Sequence, residues 1–357
     1  MGRLKVMTVV GTRPELIRLS IIMQKSDVVF NHVLVYTNQN YDYSLSGQFF
    51  EDLKIRKPDY TFKGFHDSFG SFLSNAITEF ESIIIAENPD KILMLGDTNS
   101  CLLAIIANRY KIPIYHLEAG NRCYDERVPE EANRRIIDSV SAINLPYTEN
   151  SKQNLLTEGY HKNKVFKVGN PICEVIRKWE YKIANSLALS DIGIVKGGYV
   201  LLTAHRAENV DDFISLSNIV EAINEISTEN IVVFPAHPRT QKRLKEFNLK
   251  FNKVIITQPL GFFDFVHLEK NAKCVISDSG TVQEECCILR VPSVTIRRTT
   301  ERQETVECGS NIVSGTKKDH IVNAFNVAIS SGSSWVAPEG YLDSNVSDVV
   351  IKILIGI

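Results

Sequence analysis

Short runs of apolar, often β-branched residues recur along the chain, and each is followed by a stretch patterned for a helix. Val6-Met7-Thr8-Val9-Val10 leads through a turn into a helix from about Pro14. His32 to Thr37, Lys91 to Leu95 and Ile112 to His116 read as further strands, with a helix from Asn99 to Tyr110 between the last two. The second half repeats the grammar. Val200 to Thr203, Ile231 to Phe234, Val254 to Ile256, Cys274 to Ser277 and Ser293 to Ile296 are strand candidates, separated by helices such as Asp212 to Ile226 and Thr281 to Leu289. Continuous apolar runs, rather than strict alternation, belong to parallel strands covered on both faces. Their alternation with helices predicts βα units. The expected fold class is α/β, with two Rossmann-like, doubly wound domains facing across a cleft. The predicted division is 1–170 and 171–357. A helical stretch from Pro171 to Ser186 and a link through Gly193, Gly197 and Gly198 follow the boundary. The tail 341–357, apolar at helical spacing, is expected to pack back on the N-terminal domain.

The length of 357 residues agrees with two domains, since one core rarely serves so long a chain. Forty Lys and Arg stand against 42 Asp and Glu, for a net charge of −2, so no basic excess exists to hold nucleic acid or an anionic membrane. An anionic small ligand is not excluded, because a few local arginines suffice for one. The seven cysteines form no C-x-x-C pair, and no H-x-x-x-H pattern appears, so neither a disulfide framework nor a zinc site is expected. Reduced thiols, no signal-peptide pattern and no run near the ~18 apolar residues of a membrane span point to a soluble, cytoplasmic protein. No metal or cofactor is expected.

In open α/β sheets ligands gather at the carboxyl ends of strands, where loops enter helix N-termini. Gly11-Thr12-Arg13-Pro14-Glu15 is the first such loop, with Arg13 either reaching for an anion or simply solvated. Gly96-Asp97-Thr98-Asn99 and His116-Leu117-Glu118-Ala119-Gly120 each place a carboxylate just past a buried strand. Asp97 is either a helix N-cap or an acid/base group, whereas Glu118 has no evident capping role. In Pro129-Glu130-Glu131 acidic residues open a helix, where they serve the dipole, yet the two glutamates diverge by ~100° and one can face a ligand. Neighbouring carboxylates are what proton removal and return require. The Ser277-Asp278-Ser279-Gly280-Thr281 turn, entering a helix that carries Glu285, offers an anion seat without the Gly-Lys-Ser/Thr of a P-loop. Of the histidines, His205 and His237 follow strands directly and each has an arginine close by. The arginines of Arg297-Arg298-Thr299-Thr300-Glu301-Arg302 suit a pyrophosphate clamp.

Taken in order, GTRPE, GDTNS, HLEAGNR, PEEANRR, AHRAEN, SDSG with QEE, and TTER resemble the non-hydrolysing UDP-N-acetylglucosamine 2-epimerase family, from residue 11 to about 302. The resemblance implies the glycosyltransferase-B architecture and a cytoplasmic homodimer acting on a UDP-sugar. By motif match it implies catalytic roles for Asp97, Glu118, Glu131 and His205. It implies UDP contacts for Arg13, Ser279, Gly280, Glu285 and Arg302, with Phe265 against the uracil; Arg18 stands where many members carry lysine, and His237 is a further candidate. The departures are Thr281 for a second glycine, Gln303 for a proline and Asn99 for a threonine. Residues 119–128 look more like the capsule and O-antigen subgroup that forms UDP-N-acetyl-L-fucosamine.

The implied reaction inverts C2 through loss and re-addition of UDP, converting UDP-GlcNAc to UDP-ManNAc for surface polysaccharide precursors. A C2 epimerase making UDP-N-acetyl-L-fucosamine is the alternative, as is a glycosyltransferase of the same architecture. A glycosyltransferase needs only a donor seat, which leaves three carboxylates and a histidine without a task.

Overall fold

Lys5–Val10 (β1), Asn31–Tyr36 (β2), Tyr60–Thr61 (β3), Lys91–Leu95 (β4), Ile114–Leu117 (β5) and Ile143–Leu145 (β6) form one sheet in the order β3-β2-β1-β4-β5-β6. Every neighbouring pair in it is parallel. Tyr199–Thr203 (β7), Ile231–Pro235 (β8), Val254–Thr257 (β9), Cys274–Ser277 (β10), Ser293–Thr295 (β11) and Asn311–Val313 (β12) form the other, in the order β12-β11-β10-β7-β8-β9, again all parallel. Counted from its own first strand, each sheet has the same winding. The order reverses direction between β1 and β4 in one and between β7 and β10 in the other. That reversal opens a crevice at the strand ends, where α/β sheets take their ligands. This computed structural model describes residues 2–39, 43–63 and 68–357.

Both faces of each sheet are covered, which is why the strands read as apolar runs. In the second sheet Val200 and Leu202 point into one core with Val232, Phe234 and Ile276. Tyr199 and Leu201 point into the opposite core with Val233, Val275 and Leu268. In the first sheet Met7, Val9, Ile92 and Met94 pack against Phe72 and Phe80 of the helix Phe69–Glu87. Among the described residues no helix is long and apolar enough to cross a membrane.

The chain divides into two compact units, Met1–Arg177 with Glu339–Ile357, and Lys178–Pro338. The division thus falls after Arg177 rather than after Asn170. The expected helix 171–186 is broken into Pro171–Lys178 and Glu180–Ala184. Glu174 on its first piece accepts the Ser347 N–H at 2.8 Å, and so belongs with the returning tail. Trp179, at the break, instead lies 5.5 Å from the Phe263 ring of the second unit. Gly193, Gly197 and Gly198 therefore sit inside the second unit, in the approach to β7, and not between the units. The tail helix Val346–Gly356 is held in the first unit by Lys25, which pairs with Asp348, and by Lys91, whose Nζ donates to the Leu354 carbonyl at 2.7 Å. The helix expected over 99–110 starts as a 3₁₀ turn, Asn99–Leu103, and continues as Ala104–Arg109.

Candidate functional site

The first unit places its candidate groups around the β1/β4 reversal. Gly11 follows β1, and any Cβ there would lie 2.2 Å from Ser100 Oγ and 2.3 Å from Thr37 Oγ1, so glycine lets the segments after β4 and β2 approach this closely. Thr12 caps the helix Arg13–Val29, and Glu15 at its third position closes a capping box. Glu15 does more than cap. Its Oε2 accepts the N–H groups of Gly11 at 2.5 Å and Thr12 at 2.7 Å, and its Oε1 accepts Thr98 Oγ1 at 2.7 Å. One buried carboxyl thus ties the loop carrying Arg13 to the loop carrying Asp97. Burial raises its pKa to about 7, and the donors from Thr98, Gly11 and Thr12 oppose that rise. The Arg13 guanidinium lies 5.6 Å from the Phe49 ring centre.

Asp97 is not the N-cap of the turn that follows; Thr98 holds that position. Asp97 Oδ2 instead lies 2.6 Å from Arg134 Nη2, and Arg134 Nη1 lies 3.0 Å from Glu131 Oε2. One buried arginine on the helix Pro129–Val140 therefore gathers two of the three predicted carboxylates. Glu131 is buried while Glu130 is half-buried, so the helix phase turns Glu131 inward. Burial pushes Glu131 up, but the Cys123 N–H at 3.0 Å, the Cys123 thiol and the Arg134 charge outweigh it and hold the carboxylate below its usual range.

Glu118 follows β5 directly, with φ at +73°, a left-handed conformation that costs a non-glycine residue free energy of about 1–3 kcal/mol. It is buried and paired with Arg18, which is equally buried and stands on the helix Arg13–Val29. Asn121 Nδ2 reaches Glu118 Oε1 at 3.4 Å. The Gly96 N–H donates to the Leu117 carbonyl at 2.9 Å, so the loops bearing Asp97 and Glu118 leave adjacent strand ends side by side. Behind them His116 Nδ1 meets Asp138 Oδ1 at 2.7 Å and its Nε2 meets the Gly96 carbonyl at 2.9 Å. Asp138 also pairs with Arg122 at 2.8 Å, and Arg122 grips Glu158 with two further bonds. His116, Asp138 and Arg122 are fully buried, and with Glu158 at the outer end they hold both loops from beneath.

The second unit places its groups around the β7/β10 reversal. His205 follows β7, and its Nδ1 lies 3.1 Å from Oδ1 of Asp278, the residue after β10. Asp278 Oδ2 accepts the N–H groups of His205 at 2.8 Å and Arg206 at 2.9 Å, and Asn209 Nδ2 at 3.2 Å. Asp278 is fully buried; burial pushes it up, yet His205 and these donors win and hold it at about 2. A buried anion thus orients the imidazole from behind, while the ring itself is 45% exposed. His237 caps the helix Pro238–Glu246, its Nδ1 accepting the Arg239 N–H at 3.2 Å, and its ring centre lies 6.3 Å from that of His205.

Ser279 caps the helix Gly280–Leu289, whose first-turn amides have no intrahelical carbonyl to meet. A Cβ on Gly280 would come 2.5 Å from Glu301 Oε1, so the Glu301 carboxylate lies close over this terminus. Ser279 Oγ and Thr281 Oγ1 are 3.0 Å apart. Arg302 is not a bare cation: its Nε lies 2.6 Å from Glu284 Oε1, and Arg297 Nη1 lies 2.9 Å from Glu301 Oε2. Glu285 meets a second carboxyl, that of fully buried Glu269. Burial first, and then Glu285, push Glu269 far above the usual carboxyl range. Phe265 is half-buried against the core that contains Leu268 and Val282.

Asp97 and Glu131 are brought together by Arg134, and Glu118, on the adjoining strand end, pairs with Arg18 of the helix Arg13–Val29. Ser279, Gly280, Glu285 and Arg302 gather around one helix, and His205 joins them through Asp278. Glu15, Asp138, Glu269 and Asp278 were missed by the motif reading. Among the described residues no three His, Cys, Asp or Glu side chains cluster as metal ligands.

Two doubly wound α/β units, one with arginine-held carboxylates at its switch point and the other with a helix N-terminus at its own, define the class of α/β proteins that take their ligands at the strand ends. The family described as UDP-N-acetylglucosamine 2-epimerase matches residues 23–355. The UDP-N-acetylglucosamine 2-epimerase of Methanocaldococcus jannaschii is 40% identical, over 98% of this chain and 99% of its own. The UDP-2,3-diacetamido-2,3-dideoxy-D-glucuronate 2-epimerase of Pseudomonas aeruginosa is 35% identical, over 91% and 92%. The crystal structure of the M. jannaschii enzyme in complex with UDP-GlcNAc and UDP superposes with a TM-score of 0.92 at 39% identity, over 98% of this chain and 99% of that one. The Neisseria meningitidis enzyme bound to UDP-GlcNAc gives 0.90 at 28% identity, over 99% and 100%. This chain belongs to the UDP-N-acetylglucosamine 2-epimerase family.

Proposed function

We propose that this chain is a non-hydrolysing UDP-N-acetylhexosamine 2-epimerase that interconverts UDP-GlcNAc and UDP-ManNAc. The observation that carries the reading is the shared grip of Arg134 on Asp97 and Glu131, beside the Arg18–Glu118 pair. Arginine at each carboxylate favours its ionised form, the form that can remove a proton. The C2 hydrogen of a hexosamine does not leave unaided near neutral pH. Its loss becomes feasible when the C1–O bond breaks in the same process, with the electron pair leaving on UDP to give a glycal. UDP is then kept bound while a proton returns to the opposite face of C2 and the diphosphate re-adds at C1. Two faces call for two proton-transfer groups, drawn from Asp97, Glu118, Glu131 and His205.

Within the second unit the first-turn amides at Ser279 and Gly280, together with Arg302, suit the diphosphate, and the family resemblance adds a UDP contact for Arg13. Because Glu284 and Glu301 answer the charges of Arg302 and Arg297, the amides carry much of the attraction. Glu285 suits the ribose hydroxyls, and Phe265 suits the uracil. Arg18 and His237 act behind these groups, by pairing with Glu118 and by capping a helix. The protein works in the cytoplasm as a homodimer, on a UDP-sugar, with no nucleic acid or membrane partner. The family resemblance and the reduced cysteines support that setting.

Turnover in D2O is expected to place deuterium at C2 of the product, read by NMR. A product that keeps its C2 hydrogen through many turnovers overturns the elimination–addition route. Incubation needs no acceptor, and free N-acetylmannosamine should not accumulate. A second reading, C2 epimerisation toward UDP-N-acetyl-L-fucosamine, is favoured by the resemblance carried by residues 119–128. Parallel assays with UDP-GlcNAc and the 2,6-dideoxy-L-talo analogue separate the two: the true substrate is expected to show the larger kcat/KM by tenfold or more, roughly what one extra or missing contact is worth.

A further inference from the structure

Two of the seven cysteines stand apart from the rest. Cys287 lies on the helix Gly280–Leu289, two residues past Glu285, and Cys308 ends the helix Gln303–Glu307, which begins directly after Arg302. Their sulfurs are 3.9 Å apart. Cys287 is buried and its carbonyl is bound by Trp335 Nε1 at 3.1 Å, whereas Cys308 is partly exposed. Cys308 Sγ also lies 3.3 Å from Ser310 Oγ and 3.5 Å from the Thr305 carbonyl. An accessible sulfur backed by a buried one at contact distance is the arrangement thiol–disulfide exchange requires.

We propose that Cys308 is a modification site for low-molecular-weight disulfides, with Cys287 as its resolving thiol, and that the resulting Cys287–Cys308 bond weakens UDP binding. The Cys308 thiolate attacks one sulfur of RS–SR, forming Cys308–S–S–R and releasing RS⁻, which takes up a proton. The Cys287 thiol gives up its proton, attacks the Cys308 sulfur and expels the second RS⁻. Two protein thiols are oxidised and one external disulfide is reduced to two thiols. Cys308 is the attacking partner because it is the partly exposed sulfur of the pair, within reach of an external disulfide, whereas Cys287 is buried behind it.

The consequence for UDP rests on the function proposed above; the exchange itself does not. Covalent bonding brings the sulfurs from 3.9 Å to about 2 Å, and so draws the segment after Arg302 toward the helix that carries Glu285. That segment is already pinned: Thr300 Oγ1 donates to Gln283 Oε1 at 2.6 Å, Asn311 Nδ2 donates to the same oxygen at 3.0 Å, and Arg302 pairs with Glu284. With no slack left, the shift falls on Arg302, Glu301 and the helix terminus.

The test treats the reduced full-length protein with oxidised glutathione, followed by peptide mapping, thiol counting and UDP titration. The expected result is a Cys287–Cys308 linked peptide, two of seven thiols lost, a UDP Kd raised about fivefold or more, roughly 1 kcal/mol, and recovery with dithiothreitol. Cys308→Ser should bind UDP as the reduced parent does and be insensitive to oxidised glutathione. Cys287→Ala should instead trap a glutathione adduct on Cys308. If both thiols stay free while another cysteine reacts, or if Cys287→Ala gives no adduct, the site is overturned. If the linked peptide forms and Kd does not move, its coupling to UDP is overturned. Reduced parent that binds no UDP overturns the nucleotide reading instead, and the linked peptide still decides the exchange.

Discussion

Glu118→Gln is expected to cut epimerisation by about a thousandfold or more in kcat, while the Kd for UDP moves less than about tenfold. Glutamine keeps the size and one acceptor oxygen but can neither take nor return a proton at C2. The groups proposed to bind the nucleotide lie chiefly in the second unit, so they have little reason to respond. One complication is structural. Arg18 and Glu118 are both buried, and neutralising one partner leaves a buried cation uncompensated, a loss of about 3–5 kcal/mol in comparable pairs. A drop of several degrees in Tm should therefore accompany the single change. The double variant Arg18→Met with Glu118→Gln removes both charges, and should recover much of the Tm without recovering turnover. A double variant that regains activity as it regains stability would show that Glu118 serves the fold alone. Proton transfer would then fall to Asp97 and Glu131.

The strands that carry these residues were legible because burial on both faces writes itself as an apolar run. β1, β4, β5, β7, β8 and β10 could be read directly from such runs. β3, β6 and β12 could not: they have two, three and three residues, and pairing to a neighbour, rather than their own pattern, makes them strands. The break at Trp179 escaped the helical pattern because the residues on either side are good helix formers. Only the packing of Trp179 on Phe263 sets it apart.

The candidate site stood out in its motifs, whereas the groups that support it did not. Asp97, Glu118, Glu131 and His205 stand at strand ends or in a first helical turn, positions the winding rule singles out. Glu15 was hidden because an acidic residue three places after a threonine reads first as a capping box, which it also is. Its second task, holding Thr98, depends on a loop 83 residues away. Asp278 did carry a signal. β10 occupies in its sheet the place of β4, so Asp278 is the counterpart of Asp97, and His205 after β7 is the counterpart of Arg13 after β1. Reading the two halves against each other would have found it. Glu269 had no such signal, since nothing in Leu268-Glu269-Lys270 announces a fully buried carboxyl, and its partner Glu285 lies on a different helix.

Asp278→Asn is expected to lower kcat by about a hundredfold or more with little change in the KM for the UDP-sugar. The asparagine oxygen can still accept the His205 and Arg206 N–H groups. Its amide then faces His205 Nδ1 with a donor where the carboxylate offered an acceptor. The ring must respond by accepting at Nδ1, which moves its proton to Nε2 and leaves it with the wrong tautomer for the exposed edge. The same carboxylate leaves a mark on stability. Held at about 2 against an ordinary 3.8, it contributes to the native state above pH ~4, and that contribution is lost as pH falls through about 2. The size is at most about 2 kcal/mol, because His205 is nearly half exposed and water screens its share. The variant should therefore be less stable than the parent at neutral pH, and the gap should close toward pH 2. Catalysis supplies the sharper discriminator. If Asp278 acts only through His205, then His205→Asn, Asp278→Asn and the double variant should have similar kcat values, because a ring that is absent cannot be misoriented. Losses that multiply in the double variant would mean that Asp278 acts on the substrate independently, and the orienting role would have to be abandoned.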